Sequence, residues 1–313
     1  MIMKDSIIVL SGGVGGARFL EGLIQVVPQK NVVVIGNTGD DEMFYGLHVS
    51  PDLDSVMYTL SGVNDEKQGW GLQNETYNTM KQLAKLGNEQ WFTLGDKDLA
   101  THIHRTQLLH QGKKLSEITE KLMRKFGLEI TLLPMTNDFM RTYIQTPHAC
   151  IPFQEYFVKN RWQDEIVDII YCDSQKTKPT PGILESIQNA KAVIIAPSNP
   201  LVSIDTILAI PGIKNALVQT KAKIAAVSPI VSGTAIKGPA AKMMKAMGME
   251  VSAVGVAEHY RDFLDVMIID TQDKHLNSNI EKLGIKAIET NTIMKDKKTK
   301  AHLAQTVLDA LQS

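Results

Sequence analysis

Only two cysteines, Cys150 and Cys172, occur in the 313 residues, and no Cys-x-x-Cys pair is present. A disulfide framework and a thiolate metal site are therefore not expected, and two partly buried thiols in a reducing compartment account for them. No apolar run approaches the roughly 20 residues that a membrane-spanning helix needs. The chain opens on a core strand rather than a charged segment and a cleavable apolar stretch, so no signal peptide is expected. A cytoplasmic location follows as the expectation. An excess of charge is missing too. The 33 Lys and Arg against 34 Asp and Glu leave a net charge of -1, which provides no general attraction for nucleic acid or an anionic membrane. Internal repeats and low-complexity linkers are also absent.

Two familiar phosphate-binding motifs are incomplete. The stretch "SGGVGGARFLEGL" (residues 11–23) begins a dinucleotide fingerprint with Gly13-Val14-Gly15, but Arg18 stands where its third glycine belongs. The second apolar run closes on Asn37 rather than on an acid that would hold a ribose. No Gly-Lys-Ser/Thr follows the glycines, which excludes a P-loop. A nicotinamide-dependent oxidoreductase is thereby disfavoured. The chain does have a strand that runs into a glycine cluster and then a helix, whose free N–H groups and dipole favour an anion. Arg18 would add a charge-assisted contact.

Four short apolar runs end in small polar loops: Ile7–Leu10, Val32–Ile35, Ala192–Ala196 and Ile224–Val227. Such runs suit strands buried on both faces of a parallel sheet. Helical patterns separate them. Ser116 is placed to cap a helix carrying Leu115, Ile118, Leu122 and Phe126, stopped by Gly127. Pro239 is placed in the first turn of a helix closed by Gly248, and Leu303, Val307 and Leu311 mark a terminal helix. The expected fold is α/β, a Rossmann-like doubly wound and mainly parallel sheet. Residues 1–313 form one domain on this reading, with an inserted cap region at about 100–175. The loops at the strand ends would share one crevice.

The acids fall in pairs: Asp40 with Asp41, Asp52 with Asp54, and Asp96 with Asp98. Crowded carboxylates repel unless a cation lies between them, and Mg²⁺ on a diphosphate is the usual solution beside a phosphate loop. Any one of them is also a candidate general base for a hydroxyl nucleophile. Helix capping competes as an explanation for Asp52 and for Asp96. His102 and His104, two residues apart, would lie on different helix faces, which does not favour zinc. Trp70 and Trp91 are candidates for stacking on a planar ring or for plain burial.

Ten ordered blocks carry a resemblance that runs almost end to end. They include "SGGVGGARFLEGL", "NTGDD", "SPDLDSVMYTLSG", "GWGLQNET", "WFTLGDKDLATH", "APSNPLVSI" and "VSPIVSGTAIKGPAAKMM". By these the chain resembles the 2-phospho-L-lactate transferases of coenzyme F-420 biosynthesis. The resemblance implies a Rossmann-like homodimer working with Mg²⁺. It implies transfer of a phospholactyl group, or the related phosphoenolpyruvyl group, from a guanosine-diphosphate-linked donor to the ribityl hydroxyl of the deazaflavin FO, with release of GMP. On that picture Gly12, Gly13, Gly15 and Gly16 cradle the diphosphate, with Arg18 and Asn37 nearby. Ser198, Asn199 and Pro200, together with Ser228, Ser232 and Gly233, form the opposite wall, and Lys237 neutralises phosphate charge. Asp40, Asp41 and Asp54 are the expected metal ligands, and Asp54 and Asp96 the expected catalytic acids, Asp54 being the first choice for the base. Two positions depart from the family pattern. Thr93 stands where a basic side chain is frequent, and Asp205-Thr206 where a Gly-Pro-like turn is usual. A nucleotide-sugar-binding regulatory protein of the same fold is the alternative reading.

Overall fold

The computed structural model describes residues 6–235 and 238–312. Its centre is a sheet of seven parallel strands: β1 (Ile7–Ser11), β2 (Val32–Gly36), β3 (Thr131–Pro134), β4 (Ala192–Ile195), β5 (Lys223–Val227), β6 (Val266–Asp270) and β7 (Lys286–Thr290). Their spatial order is β7-β6-β5-β4-β1-β2-β3. The chain therefore winds outward from β1 in one direction, then returns to β4 and winds the other way. This is the doubly wound, Rossmann-like arrangement expected from the apolar runs.

The four runs read from the sequence are the four central strands, each fully buried or nearly so. Within β1 the side chains alternate between two apolar layers. Ile8 and Leu10 join a core with Ile183, Ile204, Ile207 and Met243, while Ile7 and Val9 join Phe19, Leu20, Leu303 and Val307 on the opposite face. Helix α1 (Gly13–Val26) lies on the second face and crosses the terminal helix α6 (Lys297–Gln312) at Gly22. A β-carbon at Gly22 would stand 2.3 Å from the Lys300 carbonyl oxygen, so the absence of a side chain sets how closely the helices approach. Lys300 reaches back to Glu21 with an Nζ–Oε2 distance of 2.6 Å.

Between β2 and β3 the chain forms a hairpin (Glu42–Phe44 with Leu47–Val49) and helices α2 (Pro51–Leu60), α3 (Asn78–Lys85), α4 (Asp96–His110) and α5 (Leu115–Lys125). Residues 100–175 are thus not one inserted cap. Strand β3 lies in the middle of that range and pairs with β2, and the segment after it builds a separate antiparallel sheet from Arg141–Gln145, Cys150–Pro152 and Asp168–Cys172. Three expected helix caps also differ. Lys114 precedes α5, and the Ser116 N–H donates to Asn137 Oδ1 instead. Asp52 lies inside the first turn of α2, after Ser50 and Pro51. Asp96 begins α4 but turns its carboxylate away, to the start of α3. The helix at Ala240–Ala246 follows Pro239 as expected, with Gly248 in the left-handed region beyond it.

Candidate functional site

Strands β1 and β4 are neighbours but lead to opposite halves of the sheet, so their C-terminal loops part and leave a crevice. The two loops are tied at its floor. The Gly12 N–H donates to Ser198 Oγ at 3.1 Å, and the Ser198 hydroxyl donates to the Gly12 carbonyl at 2.7 Å. Gly15 packs so closely that a β-carbon would lie 2.3 Å from the Pro197 carbonyl oxygen. At Gly16 a β-carbon would lie 2.2 Å from Ser11 Oγ. Gly13 enters α1 with φ +66°, a conformation that glycine adopts without strain. The glycines therefore serve first to let α1 begin directly over the crevice.

A cavity of about 700 Å³ opens above this point. Gly12, Gly13, Gly15, Arg18, Ser198 and Asn199 line one end. Trp70, Trp91, Phe92, Phe153 and Phe157 line an aromatic part of it, with Thr93 on the same wall. Phe153 and Phe157 come from the segment after β3. Phe92 is held in place by stacking on Phe44, with ring centres 3.6 Å apart.

Four carboxylates line the cavity: Asp40, Asp52, Asp54 and Asp98. Asp52 accepts from Asn37 Nδ2 at 2.9 Å. Burial pushes its pKa up to about 6, against the Asn37 and Gly13 hydrogen bonds. Asp40 is raised well above the ordinary carboxylate value by burial and then by the charge of Asp52. Its Oδ1 is buried and has no hydrogen-bond partner. Asp41 lies behind the wall, where its Oδ2 meets His48 Nε2 at 2.8 Å and accepts from the Ser50 hydroxyl at 2.7 Å, while its Oδ1 is unpartnered. Among the described residues no three His, Cys, Asp or Glu side chains gather as a metal site.

Asp54 is differently placed. The Arg105 guanidinium holds both its oxygens, Nη2 on Oδ1 and Nη1 on Oδ2, the latter at 3.1 Å. The Arg105 side chain is 2% exposed and that of Asp54 6%. Burial opposes the guanidinium charge, but the facing Asp54 outweighs it and raises the Arg105 pKa. With both oxygens committed to Arg105, Asp54 is poorly placed to be a metal ligand as well. Arg105 Nη1 also lies 3.2 Å from His102 Nδ1. A guanidinium only donates, so Nδ1 accepts and the neutral ring carries its proton on Nε2. That nitrogen lies 3.2 Å from Asp98 Oδ1 but is not aligned to hydrogen-bond it and has no other partner, while the Tyr58 hydroxyl donates to the same oxygen at 2.6 Å. Burial works to raise the Asp98 pKa, but His102, Tyr58 and the Arg105 charge outweigh it and hold it below the ordinary value. Tyr58 is pushed well above its ordinary value by burial and by the neighbouring Asp54 and Asp98.

Several residues expected in the site lie elsewhere. Asp96 accepts from the Thr76 hydroxyl and from the Asn78 and Thr79 N–H groups at 2.5–3.0 Å, so it stabilises the entrance to α3. Asn37 is fully buried and braces Asp52 and the Gly39 N–H rather than lining the cavity. Asn199 lines the cavity, but its Oδ1 accepts from the Leu201 and Val202 N–H groups, starting the turn in which Pro200 is buried. Ser228 closes a turn onto Ile230, and the Ser232 N–H donates to Asp273, with Gly233 following it at φ +70°. Gly16, Asp41, Pro200, Ser228, Ser232 and Gly233 are thus set back from the lining. Lys237 lies outside the described residues.

Other residues take part without having been expected. The loop after β7 brings Thr292 to Lys295 onto the cavity wall, anchored where the Thr292 N–H and hydroxyl donate to Asp270 at the end of β6. Tyr58 and Arg105, which no motif marks, join Asp98 of the third acid pair and His102 in the buried polar cluster. Their signal was readable as spacing. Asp98, His102 and Arg105 are four and three residues apart, and Asp54 and Tyr58 four apart, so each set shares a helix face.

Comparison with known proteins settles the family. The family model described as 2-phospho-L-lactate transferase CofD matches residues 7–309. The chain belongs to this transferase family. It is 43% identical over 309 residues to the phosphoenolpyruvate transferase of Streptomyces griseus, covering 97% of each chain. It is 37% identical over 303 residues to the 2-phospho-L-lactate transferase of Methanosarcina mazei, covering 97% of this chain and 99% of that one. A Bacillus halodurans protein of the UPF0052 family shares the fold, with a TM-score of 0.65 at 13% identity over 98% of this chain and 100% of that one. No single helix among the described residues is long and apolar enough to cross a membrane.

Proposed function

We propose that this transferase moves a phospholactyl or phosphoenolpyruvyl group from a guanosine-diphosphate-linked donor to the ribityl hydroxyl of the deazaflavin FO, releasing GMP. One observation carries the reading. A single cavity is lined by the glycine-rich start of α1, by aromatic side chains and by four carboxylates. The first surface favours a diphosphate, the second a planar ring, and the reacting atoms would meet where they join. Relatives named for each of the two donor groups support the reading equally in kind, and identity is somewhat higher to the phosphoenolpyruvate transferases.

Mg²⁺ fits this arrangement in a specific way. Asp40 has an unpartnered buried oxygen and shares a repulsive site with Asp52, so a cation would relieve both faults. Magnesium is usually held by one or two carboxylates together with substrate phosphates, not by a complete protein cage. Asp40 and Asp52 would be its protein ligands. Bound there, the ion would neutralise charge on the non-bridging phosphate oxygens. The remaining work belongs to the chain: the α1 amides and Arg18 receive the departing phosphate, and Trp91, Phe92 and Phe157 hold the acceptor ring.

The test is incubation of the protein with FO, Mg²⁺ and the phospholactyl, phosphoenolpyruvyl or phosphoglyceryl guanosine diphosphate, with products followed by mass spectrometry. A new phosphodiester and stoichiometric GMP are expected with one of the first two donors. Tight nucleotide binding with no product from any donor would overturn the reading in favour of a non-catalytic binding protein.

A further inference from the structure

The transfer proposed above needs a group that takes the proton of the acceptor hydroxyl, and the cavity has four carboxylates from which to choose. Asp40 and Asp52 lie at the glycine end, where the diphosphate and its cation would engage them. Asp54 has both oxygens held by the Arg105 guanidinium. Asp98 is left. Tyr58 and His102 both address its Oδ1, and Asp98 lines the cavity, so Oδ2 is the oxygen that faces a ligand.

We infer that Asp98 is the general base of this enzyme, with Tyr58, His102 and the Asp54–Arg105 pair as positioning residues. The inference rests on the function proposed above. In the step, the acceptor hydroxyl oxygen forms a bond to the phosphorus that carries the three-carbon group. The bond from that phosphorus to the bridging oxygen breaks, and its electron pair leaves on the phosphate of GMP. The hydroxyl proton passes to Asp98 Oδ2. Atoms and charge balance without any further reactant.

Each supporting residue has a defined part. Arg105 donates to His102 Nδ1 and so leaves the ring proton on Nε2, which lies 3.2 Å from Asp98 Oδ1 without hydrogen-bonding it. Tyr58 remains a donor because burial, and then the adjoining carboxylates, oppose its ionisation. Together they keep Asp98 ionised and its free oxygen aimed. An ionised carboxylate that receives a substrate hydroxyl is also the arrangement phosphoryl transfer uses elsewhere, since little proton transfer is needed until late in the reaction.

The experiment compares Asp98→Asn, Asp98→Glu and Tyr58→Phe with the wild type, using the donor that gives product. Asp98→Asn is expected to lower kcat by about 10²- to 10⁴-fold with FO affinity, read by deazaflavin fluorescence, changed less than about threefold. Asp98→Glu is expected to restore part of kcat. Tyr58→Phe is expected to move the acidic limb of the kcat profile to higher pH, because the hydrogen bond that favours ionised Asp98 is gone. An Asp98→Asn enzyme with kcat within about threefold of wild type overturns the assignment, as does a loss confined to FO affinity. Should Asp98→Asn not fold, the Tyr58→Phe profile decides, and an unmoved limb overturns the assignment. A wild type that makes no product from any donor overturns the functional reading instead, so the two failures are distinct.

Discussion

Replacing Arg105 with leucine tests how the buried polar cluster is held together. The guanidinium is almost wholly enclosed, and its two terminal nitrogens serve both oxygens of Asp54 while Nη1 also meets His102 Nδ1. Leucine fills part of the volume but leaves a carboxylate that is itself only 6% exposed facing no cation. Removing one partner of a buried ion pair costs about 3–5 kcal/mol, mostly because the other charge stays desolvated. Replacing both partners with apolar groups of similar volume is often near neutral. Arg105→Leu is therefore expected to lose about 3–5 kcal/mol of stability, and Asp54→Leu combined with Arg105→Leu to recover at least half of it. Urea unfolding followed by far-ultraviolet circular dichroism measures both. A single-variant loss under about 1 kcal/mol, or a double variant whose losses simply add, would refute the argument that the pair is a coupled unit.

Other consequences are equally concrete. Gly15→Ala places a β-carbon 2.3 Å from a backbone oxygen of the β4 loop, so a loss of about 1–3 kcal/mol and weaker guanosine nucleotide binding by calorimetry are expected; a neutral result would show that the loops separate readily. Asp270 has a depressed pKa because hydrogen bonds from Gln272 and Thr292 outweigh the burial that would raise it. Its contribution to stability is therefore complete above the unfolded value of about 3.9 and is lost as pH falls through the lower folded value. Urea midpoints should show Asp270→Asn less stable than wild type by a constant amount from pH 7 to 5, with the gap closing below pH 4; a gap that widens in acid would reverse the sign of the argument. Chelation of divalent metal is expected to stop product formation and to remove most of the rise in unfolding temperature that guanosine diphosphate produces, while leaving the nucleotide-free protein unchanged. A drop in the unfolding temperature of the free protein would instead indicate a resident structural ion.

The central strands were legible because burial on both faces makes them continuous apolar runs, as in Ile7–Leu10 and Ala192–Ile195. The outer strands were less so. β7, Lys286–Thr290, is exposed at Lys286 and Glu289 and reads "KAIET", and β3 reads only "TLLP". The glycine loop and the acid pairs were visible as local clusters, but their partners were not. Arg105 meets Asp54 across 51 residues, and Asn37 reaches Val202 across 165. Asp96 and Asp98 stand two apart in one motif, yet the turn of α4 sends one to cap α3 and the other to the cavity. Asp52 shows the reverse. A residue that local spacing marks as a cap becomes a wall of the site because α2 packs against the start of α1.

The paired hydrogen bonds between Gly12 and Ser198 also bear on when the protein becomes competent during synthesis. They close a loop of 186 residues, for which the ordering entropy of an unstructured chain would be about 5 kcal/mol. Two hydrogen bonds alone would not offset that, so the contact forms only once β1 and β4 have already been aligned. Every segment between them, including Trp91, Phe92 and the α2–α4 cluster, must be made before the glycine end of the cavity exists. A nascent chain that has released β1 but not β4 would thus have the glycine loop exposed and that end of the cavity unformed. On the function proposed above, nucleotide capture would mark the moment at which the two halves of the sheet have joined.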